Sequence, residues 1–231
     1  MTSRSQFQGF PEGTFRFLSD IAANNNKAWF EANRKVYERC YLAPALKLVE
    51  ALGPRLQEIS KAVQFEARVN GSLFRIQRDI RFSKDKTPYK THLDLWFWEG
   101  ERRGWNTPSF FFRLTADGIT LGAGMHQFGK DFLEPYRKAV VDQVTAPTLV
   151  SALEEVDRTG IYQIGGDTRK AGPRGYDPNH ERAGLLLHDG LWAALECSIP
   201  PEVQSGDFVD YCAEHFRAMW PVNRWLLNLS P

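Results

Sequence analysis

Between residues 71 and 90 the chain reads GSLFRIQRDIRFSKDKTPYK, and arginine recurs there at intervals of three as Arg75, Arg78 and Arg81. A guanidinium is a rigid planar fork that matches carboxylate or phosphate, so three at this spacing suit neither strict strand alternation nor a surface that needs only solubility. The chemistry they point to is anion binding, with the three arginines as clamps. Asp79 and Asp85 stand among them as orienting carboxylates that leave positive potential over. Thr87-Pro88 imposes an extended turn, and Tyr89 adds an aromatic surface ending in a hydroxyl. Lys86 and Tyr89 complete the expected pocket, with Lys84, Lys90 and, from a later segment, Arg113 as further ligand-binding candidates. The same residue types also build structural ion-pair networks, so a salt-bridged loop tied to Glu31, Glu38 or Glu50 is the competing reading.

The concentration of charge matters because the whole chain is balanced. Its 231 residues carry a net charge of +1, whereas residues 71–90 set six cations against two aspartates, a local +4 that leaves −3 elsewhere. Balanced charge gives no global reason to expect nucleic acid or an acidic membrane. The local +4 keeps a nucleic-acid-binding module as the second reading.

Other patterns carry less. Ser83-x-x-Lys86 lacks the helix start and partner motifs of a serine acyl enzyme. Gly122-Ala123-Gly124 runs on into Met125-His126-Gln127 without the third glycine of a dinucleotide fingerprint, and no Walker loop occurs. His92 and Asp94 share a strand face, with His126 as a conceivable third metal ligand, but the adjacent positive charge disfavours a cation, and no metal is assigned. Trp96, Trp98 and Trp105 are either stacking platforms beside the basic segment or part of a core. No catalytic residue or cofactor is named by these patterns. In an enzyme, charge stabilisation by the cations is the only mechanism they motivate.

The elements that position the segment follow from periodicity. With 42% hydrophobic residues the chain is long enough for one substantial core, and a single domain over 1–231 is expected: helical at 11–60, sheet-rich at 65–126, helices and loops at 130–231. Phe15, Leu18 and Ala22, then Trp29, Val36 and Cys40, then Leu46, Val49, Leu52, Leu56 and Ile59 recur at helical spacing. Asn24-Asn25-Asn26 supplies a turn and an N-cap before Lys27, and Gly53-Pro54 predicts a bend or break. From Ser72 to Met125 the period becomes two. Asp117-Gly118 predicts a type I′ hairpin that pairs Leu114 with Leu121, and it leaves Arg113 and Phe111 facing Gly122 and Gly124. Those glycines signal either a close backbone approach or a cleft. Asp131 with Glu134 resembles a capping box. Residues 160–179 form a loop, read first as solvated and second as one whose Arg169, Lys170 and Arg174 close over an anion, and a last helix over Ser205–Trp220 is expected to stop at Pro221.

Cys40, Cys197 and Cys212 are odd in number and widely spaced, which suggests neither a disulfide framework nor a zinc ribbon and fits a cytoplasmic protein. No apolar run approaches the roughly 20 residues of a membrane helix. The fold class expected is α+β, one largely antiparallel sheet packed against an amino-terminal helical layer and later helices.

Arg75-x-x-Arg78-Asp79-x-Arg81-Phe82, followed by Asp85-Lys86 and Tyr89, resembles the signature of the mostly bacterial domain of unknown function 2461. The likeness extends to Asn24 through Trp29-Phe30-Glu31, to Gly122-Ala123-Gly124-Met125 and to Pro173-Arg174-Gly175-Tyr176-Asp177. It implies no established activity. It does favour Arg75, Arg78, Asp79, Arg81, Lys86 and Tyr89 as a working site for a small phosphorylated or carboxylated ligand.

Overall fold

A computed structural model describes residues 6–101 and 106–229. In the amino-terminal part the helical spacing becomes α1 (Glu12–Ala23), α2 (Lys27–Ala32), α3 (Arg34–Tyr37), a π turn (Glu38–Leu42) and α4 (Ala43–Ile59). Asn26 caps α2 as expected, its side chain accepting the Trp29 N–H at 3.0 Å. The π turn has a local cause. Pro44 has no N–H to give the Cys40 carbonyl four residues back, and the fully buried Thr14 hydroxyl donates to that oxygen instead. The break expected at Gly53-Pro54 does not occur, and α4 runs through it. Pro54 and Glu50 are both exposed, so the Glu50 carbonyl that loses its helical donor faces water.

The strands are β1 (Val63–Gln64), β2 (Leu93–Glu99), β3 (Ser109–Leu114), β4 (Gly118–Met125), β5 (Gln163–Gly165) and β6 (Leu191–Ser198), in the order β1-β2-β3-β4-β6-β5. They make one antiparallel sheet, and with the helices an α+β fold. The hairpin between β3 and β4 closes one residue earlier than its sequence suggests. Thr115 N–H donates to the Gly118 carbonyl at 2.9 Å, so the loop is Ala116-Asp117, and neither residue has a positive φ. The Thr115 hydroxyl, accepting from Gly118 N–H at 3.0 Å and donating to Asp117 at 2.7 Å, takes over what a type I′ glycine would have done. Parity is unchanged, since Phe110, Phe112, Leu114, Leu121, Ala123 and Met125 are all buried.

Gly124 settles the question raised by the glycines of that hairpin. It has φ +143°, and a Cβ there would collide with the Leu191 carbonyl and Trp192, so the glycine admits a neighbouring backbone. After β4 come α5 (Lys130–Val141), α6 (Ala146–Asp157), α7 (Ala183–Leu186), a 3-10 turn (Pro201–Gln204) and α8 (Phe208–Leu229). The expected capping box at Asp131 is absent: Gly129 occupies the N-cap of α5 and no side chain caps it. Nor does Pro221 stop the last helix, which continues to Leu229 because the carbonyl deprived of its donor belongs to the exposed Arg217.

The chain divides into two compact units, residues 1–97, 111–121 and 196–214, and residues 98–110, 122–195 and 215–231. The first has its core in Phe17, Leu18, Tyr41, Leu48, Leu52, Leu56 and Leu95, with Phe10 stacked on Phe112 at 6.3 Å. The second buries Phe110 against Phe216 at 5.2 Å and Tyr136 against Phe128 at 4.5 Å. All three cysteines are free thiols. Among the described residues no helix is long and apolar enough to cross a membrane.

Candidate functional site

Residues 72–96 form an antiparallel ribbon, although only β2 within it is a regular strand. Trp96 N–H bonds the Ser72 carbonyl at 2.8 Å, Phe74 N–H the Asp94 carbonyl at 3.1 Å, Lys90 N–H the Ile76 carbonyl at 2.8 Å, and Arg78 N–H the Pro88 carbonyl at 2.9 Å. The pairing slips by two residues between Phe74–Asp94 and Ile76–Lys90, an irregularity of the bulge type that interrupts a strand expected from alternation alone. The alternation itself survives in burial, with Ile76 buried and Arg75 and Gln77 exposed. Residues 79–87 are the tip.

The tip is locked by its own polar groups. Arg78 reaches across with Nη1 to Asp85 at 2.5 Å, to the Thr87 carbonyl at 3.0 Å and to the Thr87 hydroxyl. Asp85 accepts Thr87 N–H at 2.9 Å, and that bond, the Thr87 hydroxyl and Arg78 together hold its carboxyl below the usual carboxylate range. Asp79 takes Arg81 through Nε at 3.0 Å and Nη2 at 2.7 Å, and with the Arg81 backbone N–H this lowers its carboxyl to about 2. Lys86 Nζ donates to the Ile80 carbonyl at 2.8 Å. Arg78 and both aspartates therefore shape the loop, a role the competing structural reading assigned to Glu31, Glu38 and Glu50. Glu31 pairs instead with Arg34 at 2.8 Å.

Below the tip the remaining candidates separate. Tyr89 is only 6% exposed, its ring stacked on Phe30 at 4.3 Å. Asn25 grips its backbone from both sides, accepting Tyr89 N–H and donating to its carbonyl, each at 2.9 Å. Lys90 and Arg113 converge on Asp94, Nζ at 2.8 Å and Nε at 2.7 Å, with His92 Nε2 at 3.2 Å from the same carboxylate. Burial opposes ionisation of Asp94, but hydrogen bonds from His92 and Arg113 and the charges of His92 and Lys90 outweigh it and hold the carboxyl well below the usual range. Such an occupied carboxylate is an ion-pair hub. Trp96 and Trp98, each 5% exposed, are core residues and not stacking platforms, and Trp105 lies outside the described residues.

Two features of the ribbon emerge only from its geometry. Arg75 and Lys84 are exposed and make no ion pair or hydrogen bond among the described residues. Phe82 is 95% exposed, with the Arg81 guanidinium 5.8 Å from its ring centre. Phe82 follows an arginine in a charged run, and Ile80 is the one apolar residue within four positions of it.

The family described as Conserved hypothetical protein (DUF2461) matches residues 13–225. The chain belongs to this family. The DUF2461 match takes in both compact units and so includes the whole ribbon, its Asn25 and Phe30 supports and most of α8. No curated protein matches the chain.

Proposed function

We propose that the 79–87 tip recognises an anionic partner on an open surface, and that single-stranded nucleic acid is the partner its chemistry fits. The observation that carries this reading is Phe82, 95% exposed beside Arg81 and among cations that the loop leaves without partners, Arg75 and Lys84. An exposed aromatic face stacks on a base whatever its identity, and flanking lysine and arginine neutralise phosphates. Exposing a phenylalanine to water has no benefit for the isolated fold. A small phosphorylated ligand, the first reading of the sequence, uses the same cations. However, Arg78, Asp79 and Asp85 are engaged within the loop, and Arg75, Phe82 and Lys84 are exposed, whereas a small-molecule pocket is enclosed.

Fluorescence anisotropy with a labelled single-stranded oligonucleotide at low salt tests it. Binding weakened about tenfold in Phe82→Ala, as loss of one stacked base implies, and further in an Arg75→Ala/Lys84→Ala double variant, is the expected result. Absence of binding, or equal binding by all three proteins, refutes the reading. A thermal shift with nucleoside phosphates that depends on Arg75 and Lys84 but not on Phe82 would return the site to a small anionic ligand.

A further inference from the structure

A second basic site lies apart from the ribbon, on α5. Arg137 is only 9% exposed, at the edge of the α5 face that carries Phe132, Tyr136 and Val140. Its Nε and Nη2 are buried and have no hydrogen-bond partner among the described residues. Those two nitrogens form one edge of the guanidinium fork, the edge that binds a carboxylate or phosphate with two parallel hydrogen bonds. Leaving both donors buried and unmatched is costly, so the arrangement calls for an acceptor.

The described residues do not supply one. Asp189 comes closest, but its Oδ1 is 3.9 Å from Nη2, beyond hydrogen-bond range, and both of its oxygens lie 2.7 Å from Arg169 Nε. Glu134, one turn back on α5, accepts the Tyr176 hydroxyl at 3.2 Å. The Val140 carbonyl takes Arg182 Nε at 2.7 Å, and the Leu185 carbonyl takes the Tyr136 hydroxyl at 3.0 Å. Two guanidinium groups thus share the single carboxylate of Asp189, and the surplus is one positive charge with a free bidentate edge. The Tyr176–Glu134 hydrogen bond brings the 169–189 segment onto α5 one turn from Arg137. Lys170 and Arg174 on that segment are exposed.

We propose that Arg137 is the floor of a second anion site, closed by the 169–189 segment, which takes a carboxylate or phosphate group onto its Nε and Nη2 edge when the Tyr176–Glu134 contact opens. Asp189 is an internal competitor that Arg169 holds back. This arrangement makes opposite demands on two variants. Arg169→Ala frees Asp189 to move onto Arg137 and fill the edge from within, so it abolishes binding although Arg169 is half exposed. Asp189→Asn removes the competitor and tightens binding.

Calorimetric titration with inorganic phosphate and with succinate, at matched ionic strength, decides it. The expected result is saturable binding of one of the two by the parent protein, weaker by about tenfold or more in Arg137→Met, lost in Arg169→Ala and stronger in Asp189→Asn. No saturable binding by the parent overturns the proposal, as does binding that survives Arg137→Met. Should Arg137→Met fail to fold, Arg169→Ala and Asp189→Asn still decide: unchanged affinity in both overturns it, and opposite shifts support it.

Discussion

Asp94 is only 13% exposed and gathers Lys90, His92 and Arg113 around one carboxylate. Because its folded pKa is depressed, the stabilisation it provides is complete above the unfolded carboxylate value of about 4 and is lost as pH falls toward the folded value. Asp94→Asn is expected to cost about 2 kcal/mol at neutral pH, the scale of a hydrogen bond to a charged group, and the gap from the parent should narrow between about pH 4 and pH 2. Urea denaturation at each pH measures this, and a gap that does not change with pH would remove Asp94 from the acid response. Arg78 behaves differently. Its partner Asp85 is 59% exposed, and exposed pairs add little to global stability. Arg78→Ala should therefore leave the unfolding midpoint near the parent's while opening residues 79–87 to limited proteolysis. Residue types alone identified the cations and their aspartates, but not which carboxylate each would choose. Lys90 and Arg113 read as ligand contacts because Asp94, 4 and 19 residues away, meets them only once the ribbon and β3 are formed.

Helical and strand periodicity was legible at the scale of elements, because each reports which face meets a core. Proline was misread at Pro54 and Pro221 for one reason. At Pro54 and Pro221 the lost donor exposes a carbonyl that water can satisfy, so the helix continues. At Pro44 the orphan Cys40 carbonyl is buried and needs Thr14, 26 residues away. That pairing is invisible to local patterns. Thr14→Val keeps the volume and removes the donor, and it is expected to destabilise by about 1–3 kcal/mol in chemical denaturation; an unchanged midpoint would show that the π turn does not depend on it. Gly124→Ala tests the sheet in the same way. With φ +143° and the Leu191 carbonyl in the path of any Cβ, the variant should lose at least about 2 kcal/mol, whereas alanine at the open Gly172, which has no neighbour within 4 Å, should be tolerated.

The charge of the whole molecule limits how any anionic polymer can bind. With a net charge of +1 against +4 in residues 71–90, long-range attraction is weak and the local cluster must carry the electrostatic term. Of its six cations, Arg78 points into the loop, Lys90 onto Asp94, Arg81 onto Asp79 and Lys86 onto the Ile80 carbonyl, which leaves Arg75 and Lys84 to meet phosphates. Sequence counting alone set the number at six, and only the geometry of the ribbon reduces it. At roughly 0.7 counterions released per phosphate on a single strand, two contacts give a slope of log affinity against log salt of about −1.4. Lys84→Ala should make that slope shallower by about 0.7, while Phe82→Ala should weaken binding at every salt concentration and leave the slope unchanged, since a stacked ring releases no ions. Anisotropy titrations between about 50 and 200 mM salt separate the two terms. A slope much steeper than about −1.4 would place the polymer on further cations, and a flat one would mean that the tip does not meet phosphate.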